Sequence, residues 1–368
     1  MPRAHAPLWM AGPTRFAGLS RARAVLVLVA FVALAIASLA TRTPPLARAA
    51  SPHTSQSSDL MLYESVIDGL RAGGDYYQLT ADALRAGDYP LRPFVTFRLP
   101  VHSVVQAFLP APATRSLLFL LVAAVIVAWW VRLVPLLARP APRIAATILL
   151  AGGLIAFVQS ELIGFHEIWA APLVALSLAL RAPGRWGEAV ALGLIAMLVR
   201  ETAALYVLVM AGLAWRDGAR GEAVAWGATL AVFAVVLGLH GHAVAQVTGP
   251  LDPASPGWTG RLGPGFLIES VARSTALSAL SPYVALPVGL LALAGWSAPT
   301  DPLLRRAGAT IAAYALVIAL FARADTFYWA LMAAPLFLVG LTFVPDAARD
   351  LAHAILDRPR VRVQRITR

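Results

Sequence analysis

The chain has 368 residues, of which 59% are hydrophobic and only 13% are charged, and its net charge is +11. Soluble domains carry charge on about a quarter of their residues, so this composition excludes an ordinary soluble protein and indicates an integral membrane protein. All 30 basic residues are arginines, and the absence of cysteine excludes disulfides, thiolate metal sites and cysteine nucleophiles. The arginines are spread over many loops, so we expect no nucleic-acid partner.

The first apolar segment, residues 22–40, is preceded or opened by four arginines. This arrangement predicts a cytoplasmic N-terminus. Residues 46–51 (L-A-R-A-A-S) resemble a signal-peptide cleavage site, but the apolar stretch is long for one, so a retained anchor is favoured. Nine further apolar segments follow, at 116–138, 144–160, 167–181, 187–199, 202–215, 222–247, 282–297, 307–322 and 327–344.

Arginines recur at every second connection between these segments. Because positive residues concentrate on the cytoplasmic side, this pattern predicts the direction in which each segment crosses the membrane. The sequence therefore predicts an all-α fold, a polytopic transmembrane helical bundle of about ten spans, with both termini cytoplasmic. Residues 1–344 are expected to form one bundle with an external loop at 41–113, and 345–368 a basic cytoplasmic tail. A surface helix is expected at 266–280. The all-arginine, alanine-rich composition is typical of a GC-rich bacterial genome, so a bacterial inner membrane is the expected location.

The external loop contains two predicted amphipathic helices. In the first, apolar side chains recur at the spacing of one helix face, at Leu60, Tyr63, Val66, Ile67 and Leu70. Gly73-Gly74 ends this helix, and a second, short one begins at Asp75 and ends at residues 87–90 (G-D-Y-P). Such helices suit a membrane surface. Residues 91–100, with Arg92 and Arg98, are expected to be extended.

Asp75 has two interpretations. A carboxylate at a helix start accepts hydrogen bonds from free backbone N–H groups, and Gln78 three residues later fits a capping box. Alternatively, the carboxylate removes a proton from an acceptor hydroxyl, which requires hydrogen-bond reach of the reacting oxygen. Spacing alone favours the cap and leaves the base open.

Two charged turns share the predicted external side with the loop. His166 and Glu167 open a helix, either as an interfacial polar cap or as a binding pair for donor, acceptor or metal. A metal is disfavoured, because neighbouring side chains on a helix point in different directions and no partner ligands are evident. Arg200 and Glu201 lie between two short apolar segments, where charge is costly unless it is paired. They are either a buried pair that holds two helices together, or a phosphate-binding arginine oriented by a carboxylate.

A third charged turn contains Arg323 and Asp325, followed by aromatic residues. It is either a surface ion pair in an aromatic belt or a second phosphate contact. Arg92 and Arg98, on the extended part of the loop, are further candidates for phosphate binding. Several arginines on one side suit a leaving group that gains negative charge, because fixed cations stabilise that transition state.

The run D-Y-Y-Q-L-T-A-D-A-L-R-A-G-D-Y-P-L-R-P-F-V-T-F-R-L-P (75–100) resembles the first external loop of the GT-C membrane glycosyltransferases. That group includes the protein O-mannosyltransferases and the aminoarabinose transferases of lipid A. The resemblance implies a sugar donor carried on a polyprenyl phosphate, inverting transfer to a lipid, glycan or protein acceptor at the external face, and no cofactor. It places the base on Asp75, with Tyr76 and Tyr77 as substrate-binding candidates.

A membrane transporter or lipid-glycan flippase is the main alternative. Transporters often carry inverted repeats and charges near the midplane. This sequence has no clear repeat, and its charges cluster at one surface, which favours the enzyme. A GT-C-like scaffold that only binds lipid or a partner enzyme is a third possibility. No D-x-D occurs, as expected for a lipid-phosphate donor rather than a metal-bound nucleotide sugar, and no metal site is expected.

Overall fold

The structure is a computed structural model that describes residues 8–41 and 56–356. Over these ranges the chain is helical and forms no β-strand, which confirms the predicted all-α class. The helices are α1 (Arg21–Ala40), α2 (Gln56–Arg71), α3 (Tyr76–Ala86), α4 (Val101–Phe108), α5 (Ala111–Leu133), α6 (Pro140–Gly153), α7 (His166–Leu180), α8 (Gly187–Val199), α9 (Ala204–Arg216), α10 (Arg220–Val247), α11 (Gly263–Arg273), α12 (Pro282–Gly295), α13 (Pro302–Phe321), α14 (Ala334–Phe337) and α15 (Val344–Leu356).

Four helices are long and apolar enough to cross a membrane, namely α1, α5 with its following turn, α10 and α13. The segments Ala324–Met332 and Ala334–Leu356, bent by 61°, form a fifth if they count as one span. Helices α6 to α9 and α12 have only 13 to 15 residues. A bilayer core about 30 Å thick needs about 20 helical residues, so the predicted number of about ten spans is not confirmed.

One end of the bundle collects arginines from several helices. Arg132 at the end of α5 donates to the backbone carbonyl of Arg181 at the end of α7. Arg305 at the start of α13 pairs with Asp217, just after α9, at 2.9 Å. We call this the arginine-rich end, and it comprises Arg15, Arg132, Arg143, Arg181, Arg216, Arg305, Arg306 and Arg349. Helices that begin here finish at the opposite end, which we call the cavity end.

Residues 8–10 bind to α15 through hydrogen bonds at the arginine-rich end. The carboxylate of Asp346 accepts the backbone N–H groups of Leu8, Trp9 and Met10 at 2.7 to 2.8 Å. Asp346 is fully buried and also pairs with Arg349. Residues 345–356, predicted as the start of the basic tail, therefore belong to a packed helix. The rest of that tail (357–368) and the predicted cleavage site (46–51) lie outside the described residues.

The predicted surface helix at 266–280 is wrong. Helix α11 ends at Arg273, and it buries Phe266, Leu267, Ile268 and Val271. It packs between α1, α12 and α13. Its apolar residues cover a wide arc of the helix, and a wide apolar arc favours burial between neighbouring helices over a one-sided contact with a surface.

Close helix contact near the arginine-rich end depends on glycine. A Cβ atom on Gly295 of α12 would lie 2.0 Å from the carbonyl oxygen of Gly340. We expect Gly295→Ala to lower the free energy of unfolding by about 1–3 kcal/mol, the usual cost of overpacking. Thermal unfolding in detergent measures it. Gly238→Ala, on an open face of α10, is the matched control and should leave the melting temperature unchanged or slightly raised. Equal melting temperatures for the two variants would contradict this close contact.

Candidate functional site

A cavity of about 530 Å³ lies at the cavity end of the bundle. Its walls come from α2, α3 and the segment after α3, and from the turns that follow α8, α10 and α13. None of the arginines that define the arginine-rich end lines it. Its charged and aromatic lining is Asp59, Tyr63, Tyr76, Asp88, Tyr89, Phe165, Arg98, Arg200, Glu201, Trp258, Arg323, Asp325, Phe327, Tyr328 and Trp329.

In the loop between α1 and α5, which we call the first loop, helices α2 and α3 pack against each other and form one wall of the cavity. Leu79 of α3 fits against α2 and the turn after it because Gly69 and Gly74 carry no side chain. A Cβ atom at those glycines would lie 2.6 and 2.9 Å from Leu79. The Tyr76 hydroxyl then donates to the backbone carbonyl of Arg98 at 2.7 Å. The glycines that the sequence marks as a helix break thus let the second helix fold back on the first.

The segment after α3 is held against the turn that follows α10. The backbone N–H of Ser255 donates to the carbonyl of Arg92 at 2.7 Å. Arg85 forms two hydrogen bonds to the carboxylate of Asp252, at 3.0 and 2.9 Å. The side-chain hydrogen bonds from Arg85 lower the pKa of Asp252 to about 2. Residues 91–100, predicted to be extended, are so only in part: Pro93 and Phe97 are extended, but Phe94–Thr96 form a 3₁₀ turn and Pro100 has a helical conformation.

Asp75 occupies the N-cap of α3. Its carboxylate accepts the backbone N–H groups of Tyr77 and Gln78, both at 3.0 Å. It does not line the cavity. Of the two predicted roles, the geometry at Asp75 is that of the helix cap.

Two described carboxylates of the first loop line the cavity, and of these Asp88 is exposed, which leaves Asp59 as the more enclosed one. It is partly buried near the start of α2, and the Tyr89 hydroxyl donates to it at 2.7 Å. Burial raises its pKa, although the hydrogen bond from Tyr89 and the charge of Arg98 act in the opposite direction. Asp59 was not among the site residues predicted from the sequence. Its spacing to Tyr63 and Val66 (i, i+4, i+7) puts it on the apolar face of α2. A carboxylate on an otherwise apolar helix face is the sequence feature that could have marked Asp59 as a candidate.

Arg98 places a cation in the cavity. No ion pair or hydrogen bond joins its guanidinium to the described residues within the usual limits. Burial acts to lower the pKa of Arg98, but Tyr63, Tyr328 and the nearby glutamates outweigh it, so the pKa is raised well above its ordinary value. Arg98 is therefore a permanent positive charge that an incoming anion can neutralise.

Arg200 is fully buried and contacts two carboxylates. Its Nε lies 2.6 Å from Oε1 of Glu167, and its Nη1 donates to Oε2 of Glu201 at 3.1 Å. The Glu167 contact is an ion pair, but it is not an aligned hydrogen bond. Glu201 also accepts the backbone N–H of Leu99 at 3.1 Å, which ties the first loop to the turn between α8 and α9. The contacts to Glu167 and Leu99 join separate elements, as expected of a structural pair, and Arg200 and Glu201 also line the cavity.

Arg323 and Asp325, in the turn that follows α13, form an ion pair at the cavity wall. The Nε of Arg323 donates to Asp325 Oδ1 at 3.0 Å, and its Nη2 contacts Oδ2 of the same carboxylate. Its Nη1 donates weakly to Ser255 at 3.4 Å. Both charged side chains are partly exposed and line the cavity. Arg323 is thus already neutralised in part, unlike Arg98.

His166 and Glu167 lie behind the cavity lining. Both are fully buried. The ring of His166 packs against that of His102 on α4, with 4.4 Å between centroids and a tilt of 56° between the ring planes; the sequence did not predict a role for His102. Burial lowers the pKa of His102 to about 3, so that ring is neutral at physiological pH. Glu167 thus pairs with Arg200, and His166 packs against α4. No group of three or more metal-binding side chains occurs among the described residues.

The neighbouring side chains of Tyr76 and Tyr77 point to different places. The ring of Tyr76 lines the cavity, whereas Tyr77 places its hydroxyl 3.2 Å from Nδ1 of His240 on α10 and does not line it. Neighbouring residues on a helix point about 100° apart, which accounts for the difference. Of the predicted site residues, the cavity lining contains Tyr76, Arg98, Arg200, Glu201, Arg323 and Asp325, and it excludes Asp75, Tyr77, His166 and Glu167.

A second, smaller cavity of about 170 Å³ adjoins the first. It lies between α9 and α13 and has a predominantly apolar lining that includes Leu205, Leu208 and Val317. Thr202 and Trp329 line both cavities. The charged cavity and the apolar cavity therefore lie side by side and share part of their walls.

Comparisons with known proteins give no relative for this chain. No family model matches it, no curated protein matches it, and no solved structure matches it.

Proposed function

We propose that this protein is an integral membrane glycosyltransferase of the GT-C type. It takes a sugar from a polyprenyl-phosphate donor and transfers it, with inversion, to a lipid, glycan or protein acceptor at the external face of a bacterial inner membrane. The main support is the position of a charged cavity beside an apolar cavity, with Thr202 and Trp329 in the walls of both. A ligand with an anionic head and a long hydrocarbon chain matches this pair of sites, because each part meets a surface of its own polarity.

Three arginines would bind the donor phosphate. Arg98 has no carboxylate partner among the described residues, so it can form an ion pair with phosphate without breaking an existing one. Arg200 and Arg323 keep their own carboxylates and would orient the phosphate with the donor N–H groups that remain. The positive charge is fixed before the reaction, so it favours the departing phosphate, which gains negative charge, more than it favours the bound donor.

Asp59 would be the base. It removes the proton from an acceptor hydroxyl, the hydroxyl oxygen forms a bond to the anomeric carbon, and the bond from that carbon to the phosphate oxygen breaks. The electron pair leaves on the polyprenyl phosphate. A raised pKa suits a general base, because a carboxylate whose pKa lies nearer the working pH takes a proton from a hydroxyl more readily. Tyr63, Tyr328 and Trp329 offer ring faces against which the sugar can stack.

The shorter helices complete the proposed topology. In this proposal α6, α7, α8, α9 and α12 and the bent segment 324–343 would cross in directions that alternate with those of the four long helices. They would bring the membrane-embedded segments to the predicted ten, with both termini cytoplasmic. Short helices can lie in a membrane where their ends are covered by protein or where the bilayer is locally thin.

The direct test is sugar transfer by the purified protein from a radiolabelled polyprenyl-phosphate sugar, with Arg98→Gln beside the wild type. We expect the variant to lose about 100-fold or more in rate, because a preorganised contact to the developing charge is removed. Arg92→Gln is the matched control: Arg92 lies on the same segment, is exposed, and does not line the cavity. Its rate should stay close to that of the wild type.

Two outcomes would contradict the proposal. Equal rates for Arg98→Gln and the wild type would remove Arg98 from the phosphate site. Movement of the labelled lipid across a reconstituted bilayer without consumption of the sugar bond would instead identify a transporter or flippase.

A further inference from the structure

The arginine-rich end carries a second cluster of charges that the proposed function does not use. Asp217, in the turn after α9, contacts three arginines. Its carboxylate lies 2.9 Å from Arg305, 2.8 Å from Arg306 and 3.8 Å from Arg216. Arg306 is fully buried, whereas Arg305 is partly exposed and Arg216 is exposed. One carboxylate thus faces three guanidinium groups, two of which reach the surface.

A fourth arginine lies beside this cluster. Arg15 donates to the backbone carbonyl of Pro299 at 2.9 Å, which holds its guanidinium near the start of α13. Burial lowers the pKa of Arg15, and the positive charges of Arg305 and Arg216 lower it further. Positive charge is therefore concentrated around Arg15, Arg216 and Arg305, which come from three separate parts of the chain.

The acidic residues nearby do not balance this charge. Asp217 is shared among three arginines. Asp301 caps α13, where its carboxylate accepts the backbone N–H groups of Leu303 and Leu304 at 2.9 and 3.1 Å. Four arginines against these two carboxylates leave a local excess of about two positive charges, in the simple count of formal charges. Within the described part of the chain, the Nε of Arg305 has no acceptor.

The surroundings of the cluster match the headgroup region of a membrane. Trp215, next to Arg216, is 70% exposed. Tryptophan is enriched at the membrane–water interface, where its ring sits at headgroup level. Farther along α9 and α13 the exposed side chains are apolar, as at Leu208 and Leu316. An anion held by the arginines could therefore continue into hydrocarbon that packs along these two helices.

We propose that Arg15, Arg216 and Arg305 bind the phosphate headgroup of an anionic phospholipid at the arginine-rich end of the bundle. The excess charge provides the attraction, and the neighbouring Trp215 and apolar helix faces select a membrane lipid over a soluble phosphate. This site lies at the opposite end from the cavity, and it does not depend on the proposed glycosyl transfer.

The test is lipid retention by the full-length protein, purified in a neutral detergent and titrated with phosphatidylglycerol, phosphatidylcholine or inorganic phosphate, with bound lipid counted by native mass spectrometry. Arg216→Gln is the main variant, because its contact to Asp217 is long and its loss should not disturb folding. We expect about five-fold weaker retention of phosphatidylglycerol, and about 25-fold for Arg15→Gln combined with Arg216→Gln, the effect of one and two basic side chains near an anionic surface.

Arg139→Gln is the matched control. It removes one charge from an exposed arginine in the turn between α5 and α6, at the same end of the molecule. The basic segment 357–368 contributes equally in all variants, so a specific site requires Arg216→Gln to fall below this control. Equal retention by the two variants would overturn the proposal. So would equal retention of phosphatidylcholine and phosphatidylglycerol by the wild type, or competition by inorganic phosphate at the same concentration as the lipid.

Discussion

Replacement of Asp59 by asparagine is expected to reduce the rate of sugar transfer by about 10²–10⁴-fold, the usual contribution of a general base. The side chain keeps its size and can still accept the hydrogen bond from Tyr89, but it can no longer take a proton. Binding of the polyprenyl-phosphate donor should change little, because the arginines that hold the phosphate remain. The measurement is the transfer rate under saturating donor, with donor binding assayed separately.

Asp75 provides the matched control in the same loop. Asp75→Ser keeps an N-cap side chain, so α3 should stay capped and the rate should remain near that of the wild type. The two variants separate the alternatives that spacing in the sequence leaves open. A large loss in Asp75→Ser together with full activity in Asp59→Asn would place the base on Asp75 instead.

The raised pKa of Asp59 also predicts the direction of the pH dependence. The base acts only when it is deprotonated, so transfer should fall on the acidic side at a pH above the ordinary aspartate value of 3.8. The same shift affects stability. Between the ordinary and the raised value the folded protein binds a proton that the unfolded chain has released, so stability from this group falls as pH rises through that window. In Asp59→Asn any residual transfer should lack this acidic limb.

Replacement of Arg200 by glutamine is expected to lower the free energy of unfolding by about 3–5 kcal/mol. The change removes a charge that is 2.6 Å from Glu167 and 3.1 Å from Glu201. Glu167 is fully buried, so its carboxylate would be left without a compensating charge. Thermal or denaturant unfolding in detergent measures the loss. Arg323→Gln is the matched comparison: its pair with Asp325 is partly exposed, and the cost should be about 1 kcal/mol or less.

A double-mutant cycle tests whether Glu167 is the cause. If the uncompensated carboxylate produces the loss, Glu167→Gln combined with Arg200→Gln should be clearly more stable than Arg200→Gln alone. Additive losses in the double variant would contradict this account and assign the effect to packing. The turn between α8 and α9 would then depend on the size of the Arg200 side chain rather than on its charge.

The sequence alone was sufficient for the helical class and for several local features. Gly73-Gly74 predicted the break between α2 and α3, and Asp75 predicted the start of α3. These features depend on residues within a few positions of one another, and helix caps and breaks are set by such neighbours. The alternation of arginines also predicted that Arg98, Arg200 and Arg323 belong to one end, since a charge beside an apolar segment marks an end of that segment.

Which of those side chains share a cavity was decided by the tertiary structure. Asp59 and Tyr89 are 30 residues apart, and Arg200 meets Glu167 only because α7 and α8 pack side by side. The packing of α3 on α10 turned Tyr77 toward α10, and the packing of α11 between α1, α12 and α13 buried a helix that the sequence placed on the surface. Helical periodicity fixes the face on which a residue lies. The partner of that face depends on how distant helices cross, and this is determined by the combined packing of the whole bundle.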